Sequence, residues 1–329
     1  MHETVPDAHW DAAFWWLCQQ RKSAPQNADI WHLRWEWPRV REKLFNTVNS
    51  GVYRLSPMIV FRNNKNFSAM WTSRDALVLK WVSLHIQHEL PQPERCMHLK
   101  GKGVRKSVQE VAYALTKGYA FMHRTDIRGY YENINKDHVA SQVERFVTKP
   151  LFRTLINQYL YYSVEKGGEI HTPLNGIPRG CALSPMIAAM LLRHIDGHFT
   201  TFNPEDMFYA RYMDDFLLFT RTRWQLKRAI RELAGFFELS GFVRHPDKTQ
   251  TGRITAGFDW LGLWFGPEGT SIAPRALTNH QERRVQLLEQ ARRRGMTPVE
   301  TTNRVQAYEH RWNIWARGLL NAAASPYED

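Results

Sequence analysis

Three cysteines among 329 residues, Cys18, Cys96 and Cys181, are too few and too far apart for a disulfide framework or a paired-thiol metal site. Long apolar runs are missing as well. The longest, such as 188–192 and 216–219, fall far short of the about 20 residues that cross a bilayer, so no membrane partner is expected. The first ten residues carry His, Glu and Asp where a secretory leader would be basic and then apolar, so a soluble, cytoplasmic protein is expected. No repeat, low-complexity tract or Pro/Gly/Ser-rich linker divides the chain. Acidic residues are in deficit: 32 Asp and Glu stand against 44 Lys and Arg, a formal charge of +12. Such a charge attracts polyanions, nucleic acid first among them. A basic surface kept only for solubility is the plainer reading, and charge alone does not choose between the two.

What is present is an ordinary globular share of apolar residues, 43%, with thirteen Trp, twelve Tyr and seventeen Phe. Some of these rings suit stacking on bases, although most aromatics are core. Apolar spacing predicts helices through residues 1–50 and 73–89, the latter stopped by Pro91 and Pro93. Extended pieces are predicted around 53–61, with a basic turn at 62–66. A glycine-spaced basic segment at 100–106 leads into a helical pattern ending at Leu115, and a strand follows over 121–127. Helix is predicted over 137–166, 184–198 and 225–239, two short strands over 208–220, and further strands up to Phe265. From Asn279 onward the pattern is helical and rich in Arg. Strands and helices alternate, which predicts an α+β fold with helical additions.

Carboxylates at strand ends are natural metal ligands, because the strand is rigid while the loop beyond it admits a ligand. Two such places occur, Asp126 and the pair Asp214-Asp215. The pair sits at a predicted hairpin tip that contains neither Gly nor Asn, and two adjacent carboxylates repel. A sequence that accepts both costs is expected to hold a divalent cation there. Alone, an Asp-Asp turn is more often a solvated one.

Around these residues the sequence resembles the reverse transcriptases. Tyr212-Met213-Asp214-Asp215 resembles the third palm motif of that family, and 123–131, with Asp126 lying 88 residues before Asp214, resembles the first. The stretch 176–185 between them resembles the second, 241–249 a later motif with its lysine, and 258–262 the primer-grip hairpin. The resemblance spans about residues 30–320 in the family's order. It implies a right-hand polymerase: N-terminal helices and fingers over 1–120, a palm with an antiparallel sheet over 121–274 carrying a fingers-like helical insertion at about 137–175, and a small helical thumb over 275–329.

It also implies roles. Asp126, Asp214 and Asp215, with the Ile127 carbonyl, would hold two Mg²⁺ ions, with Mn²⁺ as a substitute, for nucleotidyl transfer from dNTPs. Lys248 would neutralise or protonate the departing pyrophosphate. Lys100, Lys102 and Arg105 would clamp phosphates, with a solvated basic face as the plainer reading. Pro178, Arg179 and Gly180 would shape the nucleotide pocket, and Tyr131 would block the 2′-hydroxyl of a ribonucleotide. On the premise that adjacent residues of an extended segment point to opposite sides, Tyr130 would then face the core; the alternative is the reverse, Tyr131 in the core and Tyr130 facing the substrate. Trp260 and Gly262 of the primer-grip hairpin, and Arg283, Arg284, Arg292 and Arg293 of the thumb helices, would contact nucleic acid. His98, His171, His245 and His310 show no ligand spacing and read as structural or surface residues.

Ser184 is followed by Pro185, where intron-type and hypervariation-type relatives carry Ser-Gln. That difference, with a length expected to leave no room for an RNase H or endonuclease domain, points to the bacterial unknown-group and defence-associated enzymes, the small stand-alone second class in particular. The implied partners are a template non-coding RNA and its cDNA product, in anti-phage defence. A retron-type enzyme, an RNA-dependent RNA polymerase, and a degenerate palm serving as an RNA-binding scaffold are the rival readings.

Overall fold

The computed structural model describes residues 5–63, 66–93, 95–98 and 103–325, apart from the side chains of 62, 63, 66 and 67. Its α+β composition is the predicted one. The chain divides into two units, each assembled from two segments: Met1–Pro93 with Gly129–Arg193, and Glu94–Arg128 with His194–Asp329. Elements are numbered along the chain.

In the first unit the Asp7 carboxylate accepts the Trp10 N–H (2.9 Å) and so starts α1 (Ala8–Gln20). The same carboxylate accepts Trp81 Nε1–H at 3.1 Å and lies 2.9 Å from His85 Nε2, both on α3 (Ser73–Ile86). One side chain therefore begins a helix and ties it to another. Rings fill the space between these helices and α2 (Asp29–Asn49): Trp10 meets Trp81 edge-on at 5.6 Å, and Phe14 stacks on Trp37 at 3.9 Å. A small sheet joins β1 (Met58–Asn63) and β2 (Asn66–Met70) to β4 (Val164–Lys166) and β5 (Glu169–His171), in the order β2-β1-β4-β5.

The helix predicted over 137–166 is not continuous. It is α6 (Lys136–Phe146), α7 (Pro150–Leu160) and the β4–β5 hairpin. Pro150 opens a new helix at its first position, where a missing N–H costs nothing, and Gly167 and Gly168 take the positive φ that the hairpin turn demands. Likewise, the segment 184–198 breaks at Leu192 into α8 (Ser184–Leu191) and α9 (Arg193–Phe199). The segment after Asp126 is not extended. It is a single turn, α5 (Tyr130–Asn133).

The second unit is built on a four-stranded antiparallel sheet, β6 (Met207–Tyr212), β7 (Asp215–Thr220), β3 (Phe121–Asp126) and β8 (Gln250–Arg253), in that order. Successive residues of β7 enter different cores. Leu217 and Phe219 join Met122, Phe258 and Trp260 under α4 (Val104–Leu115) and α12 (Pro298–Ala324), whereas Phe216 meets Phe237 of α10 (Arg223–Leu239) at 5.2 Å. Burial on both faces explains why β7 reads as an unbroken apolar run. A second sheet of β9 (Phe258–Trp260), β10 (Leu263–Gly266) and β11 (Gly269–Ile272) leads into α11 (Pro274–Arg293).

A charged pair lies inside this unit. Arg211 of β6 is fully buried and donates from Nε to Asp196 Oδ1 of α9 (2.8 Å), and its Nη2 donates to Oδ2. Tyr209 adds its hydroxyl to the same carboxylate at 2.6 Å. Removing one member of such a pair strands the other charge. Asp196→Ala should therefore cost about 3–5 kcal/mol in urea unfolding, whereas replacing both residues by apolar ones of similar volume should recover most of it. A single variant within about 1 kcal/mol of wild type would show that the pair carries no such weight.

Candidate active site

Register brings the carboxylates together. In the β3–β7 ladder Asp126 lies directly opposite Asp215, and in the β6–β7 ladder Tyr212 pairs with Asp215, leaving Met213 and Asp214 as a two-residue turn. Met213 has φ +55, a left-handed backbone that is costly for a residue with a Cβ. The strain expected from the absence of Gly and Asn is thus present, and two residues hold it. Met213 N–H donates to His98 Nδ1 at 2.9 Å, and Arg211 Nη1–H donates to Met213 O at 2.7 Å. Ile127 N–H, next to Asp126, donates to Asp214 O at 3.3 Å and fastens the turn to the end of β3.

Lys248 arrives from the loop before β8. His245 N–H donates to Asp126 O (2.9 Å) and Arg128 N–H to Val243 O (2.8 Å), so this loop runs alongside Asp126 to Arg128. Lys248 Nζ donates to Asp126 Oδ2. On the other flank Arg124, two residues before Asp126 and therefore on its face of the sheet, donates to Asp215 Oδ1 at 3.3 Å and pairs with Asp259. Four carboxylates, those of Asp126, Asp214, Asp215 and Asp259, thus face two cations.

The electrostatics follow. The Asp214 carboxyl is pushed up to about 6, first by burial and then by Asp215 and Asp126. Asp215 is also raised, by burial first, against the pull of Arg124. Among the described residues Asp126 Oδ1 is buried without a hydrogen-bond partner. A buried acceptor left over, beside carboxylates whose ionisation is penalised by burial and then by one another, is a donor set that could hold a hard divalent cation. Only oxygen ligands are offered, which fits Mg²⁺.

The remaining predicted residues of this unit fall in different places. Lys100 and Lys102 lie outside the described residues. Arg105 lies over Gly318 of α12, where a Cβ would come within 2.5 Å of its Nη2. Trp260 is a correction. It is fully buried and donates Nε1–H to Ser107 Oγ at 3.0 Å, because the alternation of β9 turns Phe258 and Trp260 inward together. Gly262, in the turn after it, has φ +93 and abuts Trp315. On α11, Arg284 pairs with Glu309 of α12 (2.5 Å), Arg293 with Glu289 (3.9 Å), and Arg283 donates to Gln286 (3.2 Å), while Arg292 is exposed.

Tyr131, Pro178, Arg179 and Gly180 belong to the first unit. Tyr130 is buried and donates its hydroxyl to Ala188 O at 2.8 Å. Tyr131 is 8% exposed, with the Arg179 guanidinium 5.6 Å from its ring centre. On a single helical turn the two rings are about 100° apart rather than on opposite sides, which corrects the extended-segment premise. Gly176 has φ +83, and a Cβ there would lie 2.8 Å from Tyr131 O, so the loop that carries Pro178 and Arg179 runs against the backbone of Tyr131.

Sequence reasoning missed Arg124, Asp259, Arg211 and the role of His98. The only available signal was period two in β3, which places Arg124 on the face of Asp126.

Residues 76–265, more than half of the chain, match the family model described as Reverse transcriptase (RNA-dependent DNA polymerase). Among solved structures the chain is similar to an apo telomerase from Candida tropicalis, with 14% identity and a TM-score of 0.44 over 59% of this chain. The match covers 39% of that protein's chain. No curated protein matches.

The raised Asp214 carboxyl gives a pH test. Its pKa is near 3.8 when unfolded and about 6 when folded, so stability is lost as pH rises between those values, and the full penalty holds above about 6. Asp214→Asn should stabilise the protein in EDTA at pH 7.5 by on the order of 1–3 kcal/mol, and the gain should vanish by about pH 4. A thermal midpoint difference independent of pH would contradict this account.

Proposed function

The chain belongs to the reverse transcriptase family, and from that premise we propose that it is an RNA-directed DNA polymerase extending a primer with dNTPs. The observation that carries this reading is the Asp126–Asp215 register with Asp214 in the adjoining turn, one oxygen of Asp126 being buried with no hydrogen-bond partner among the described residues.

Asp126, Asp214 and Asp215, with the Ile127 carbonyl, would hold Mg²⁺. When bound, such ions neutralise charge on the attacking 3′-hydroxyl and the departing pyrophosphate. Lys248 lies beside Asp126 with its side chain 30% exposed, so it is suited to neutralise a leaving phosphate. Arg124, by its hydrogen bond to Asp215 Oδ1, keeps that carboxylate from turning away. Arg211 and His98 fix the turn that presents Asp214. Tyr131 would fill the space of a 2′-hydroxyl, and Arg179, with Pro178 and Gly180, would shape that pocket. Residues 121–274 would serve as palm, 1–120 and the insertion at about 137–175 as N-terminal helices and fingers, and 275–329 as thumb, with Arg283, Arg284, Arg292 and Arg293 on duplex phosphates.

Within the family we place the chain with the bacterial unknown-group, defence-associated enzymes, copying a structured non-coding RNA into cDNA. The Ser184-Pro185 pair and the net charge of +12 support this.

Primer extension on an RNA template tests the chemistry. Asp126→Ala and Asp214→Ala should each lower dNTP incorporation by about 10²-fold or more with the fold retained. In the same assay Tyr131→Val should admit rNTPs while keeping substantial dNTP use. Near-normal extension by either aspartate variant would end the site assignment. The template is tested by sequencing the nucleic acid that co-purifies: one discrete structured RNA is expected, together with phage protection that Asp214→Ala abolishes. Protein free of RNA that copies any primed template equally well would overturn the dedicated-template reading.

A further inference from the structure

The first unit carries a basic groove that the chemistry above does not use. About 600 Å³ in volume, it opens between α2 and the start of α3, and its lining includes Lys43, Arg54 and Arg74 beside Thr47, Tyr53 and Thr72. Its one carboxylate among the described residues, Asp29, is already taken: it accepts the Ser73 N–H (2.5 Å) and hydroxyl (2.7 Å) and pairs with Arg21 at 3.2 Å. The three cations are poorly neutralised. Lys43 makes no ion pair among the described residues. Arg54 is anchored by two backbone carbonyls, those of Gly51 and Tyr53 (2.9 Å each), which fix its position without cancelling its charge. Arg74 lies 3.8 Å from Glu36, a carboxylate it shares with His32.

The rim adds a stacking surface. His32, Trp35, Arg39 and Lys43 follow one another at spacings of three, four and four, a single stripe along α2. Trp35 is 82% exposed on this stripe between His32 and Arg39, whereas Trp10, Trp37 and Trp81 are spent in packing. A large exposed indole on the same stretch as poorly neutralised cations, one of them anchored, suits a single-stranded nucleic acid: phosphates for the charges and an unpaired base for the ring. A duplex would bring the charge but no free base face, since its bases are stacked on one another.

We propose that this face is a second RNA-binding site, holding a single-stranded stretch with phosphates at Lys43, Arg54 and Arg74 and a base on Trp35. The choice of RNA rests on the polymerase reading above; the single-strand chemistry does not.

The test is fluorescence anisotropy of the full chain with a labelled unstructured 15-nucleotide RNA across a NaCl series. The Lys43→Gln/Arg54→Gln/Arg74→Gln variant should bind at least about tenfold more weakly, and the plot of log K against log[salt] should flatten by about 2, three phosphate contacts at about 0.7 each. Trp35→Ala should weaken binding by about 5–100-fold with the salt slope unchanged, and Trp35→Phe should restore most of it. These side chains are exposed, so thermal midpoints should stay at the wild-type value. Unchanged affinity and slope in the triple variant, or an equal loss for a blunt RNA duplex, would overturn the site. Wild-type protein that binds the 15-mer but never extends primed RNA would remove the polymerase reading and leave this one standing; extension by wild type together with unaltered binding by the variants would do the reverse.

Discussion

Mutual repulsion among carboxylates at one end of a four-stranded sheet is the constraint that the second unit is organised around. Asp126 and Asp215 are directly opposite across a ladder, and Asp214 follows in the turn, an arrangement that isolated strands would avoid. It persists because the apolar residues of β7 are committed to two cores at once. Slipping the register by one residue would exchange Phe216 and Leu218 with Leu217 and Phe219 and spoil both. Hydrophobic packing therefore fixes where the charges stand. The repulsion among the carboxylates works against that placement.

The compensating groups are arranged around that cost in two ways. Lys248 and Arg124 offset charge directly, each against a different carboxylate. Arg211 and His98 act on the backbone of Met213, the left-handed residue on which the turn depends. Arg211 can do so from the interior only because Asp196 accompanies it, which outweighs the effect of burial and keeps the guanidinium strongly charged. The buried pair is thus more than a stability element: it delivers a hydrogen-bond donor to a strained turn that an apolar pair could not supply.

Much of this was legible beforehand because the relevant signals are local. Short apolar runs on either side of the Asp-Asp turn marked β6 and β7, Pro91 and Pro93 bounded α3, and the acidic strand end at Asp126 stood out against its apolar approach. Legibility failed where a short element interrupts a helical pattern. The run 137–166 has helix-like apolar spacing throughout, yet Pro150 and the pair Gly167-Gly168 cut it into two helices and a hairpin. Trp260 misled for a different reason. An indole in a primer-grip-like hairpin invites a ligand contact, but its side of the strand is decided by the packing of α4 and α12, which are distant in sequence.

By itself the sequence determined the α+β class, the basic charge balance and the identity of the three aspartates, because each of these is a property of composition or of spacing within one or two elements. Tertiary structure alone decided which partners the aspartates meet. Arg124 to Asp259, Lys248 to Asp126 and His98 to Met213 are joined across separations of more than a hundred residues, and no local periodicity encodes such pairings. They arise because strand order places β3 between β7 and β8, so that side chains from remote segments share one sheet end and must satisfy one another's charge away from water.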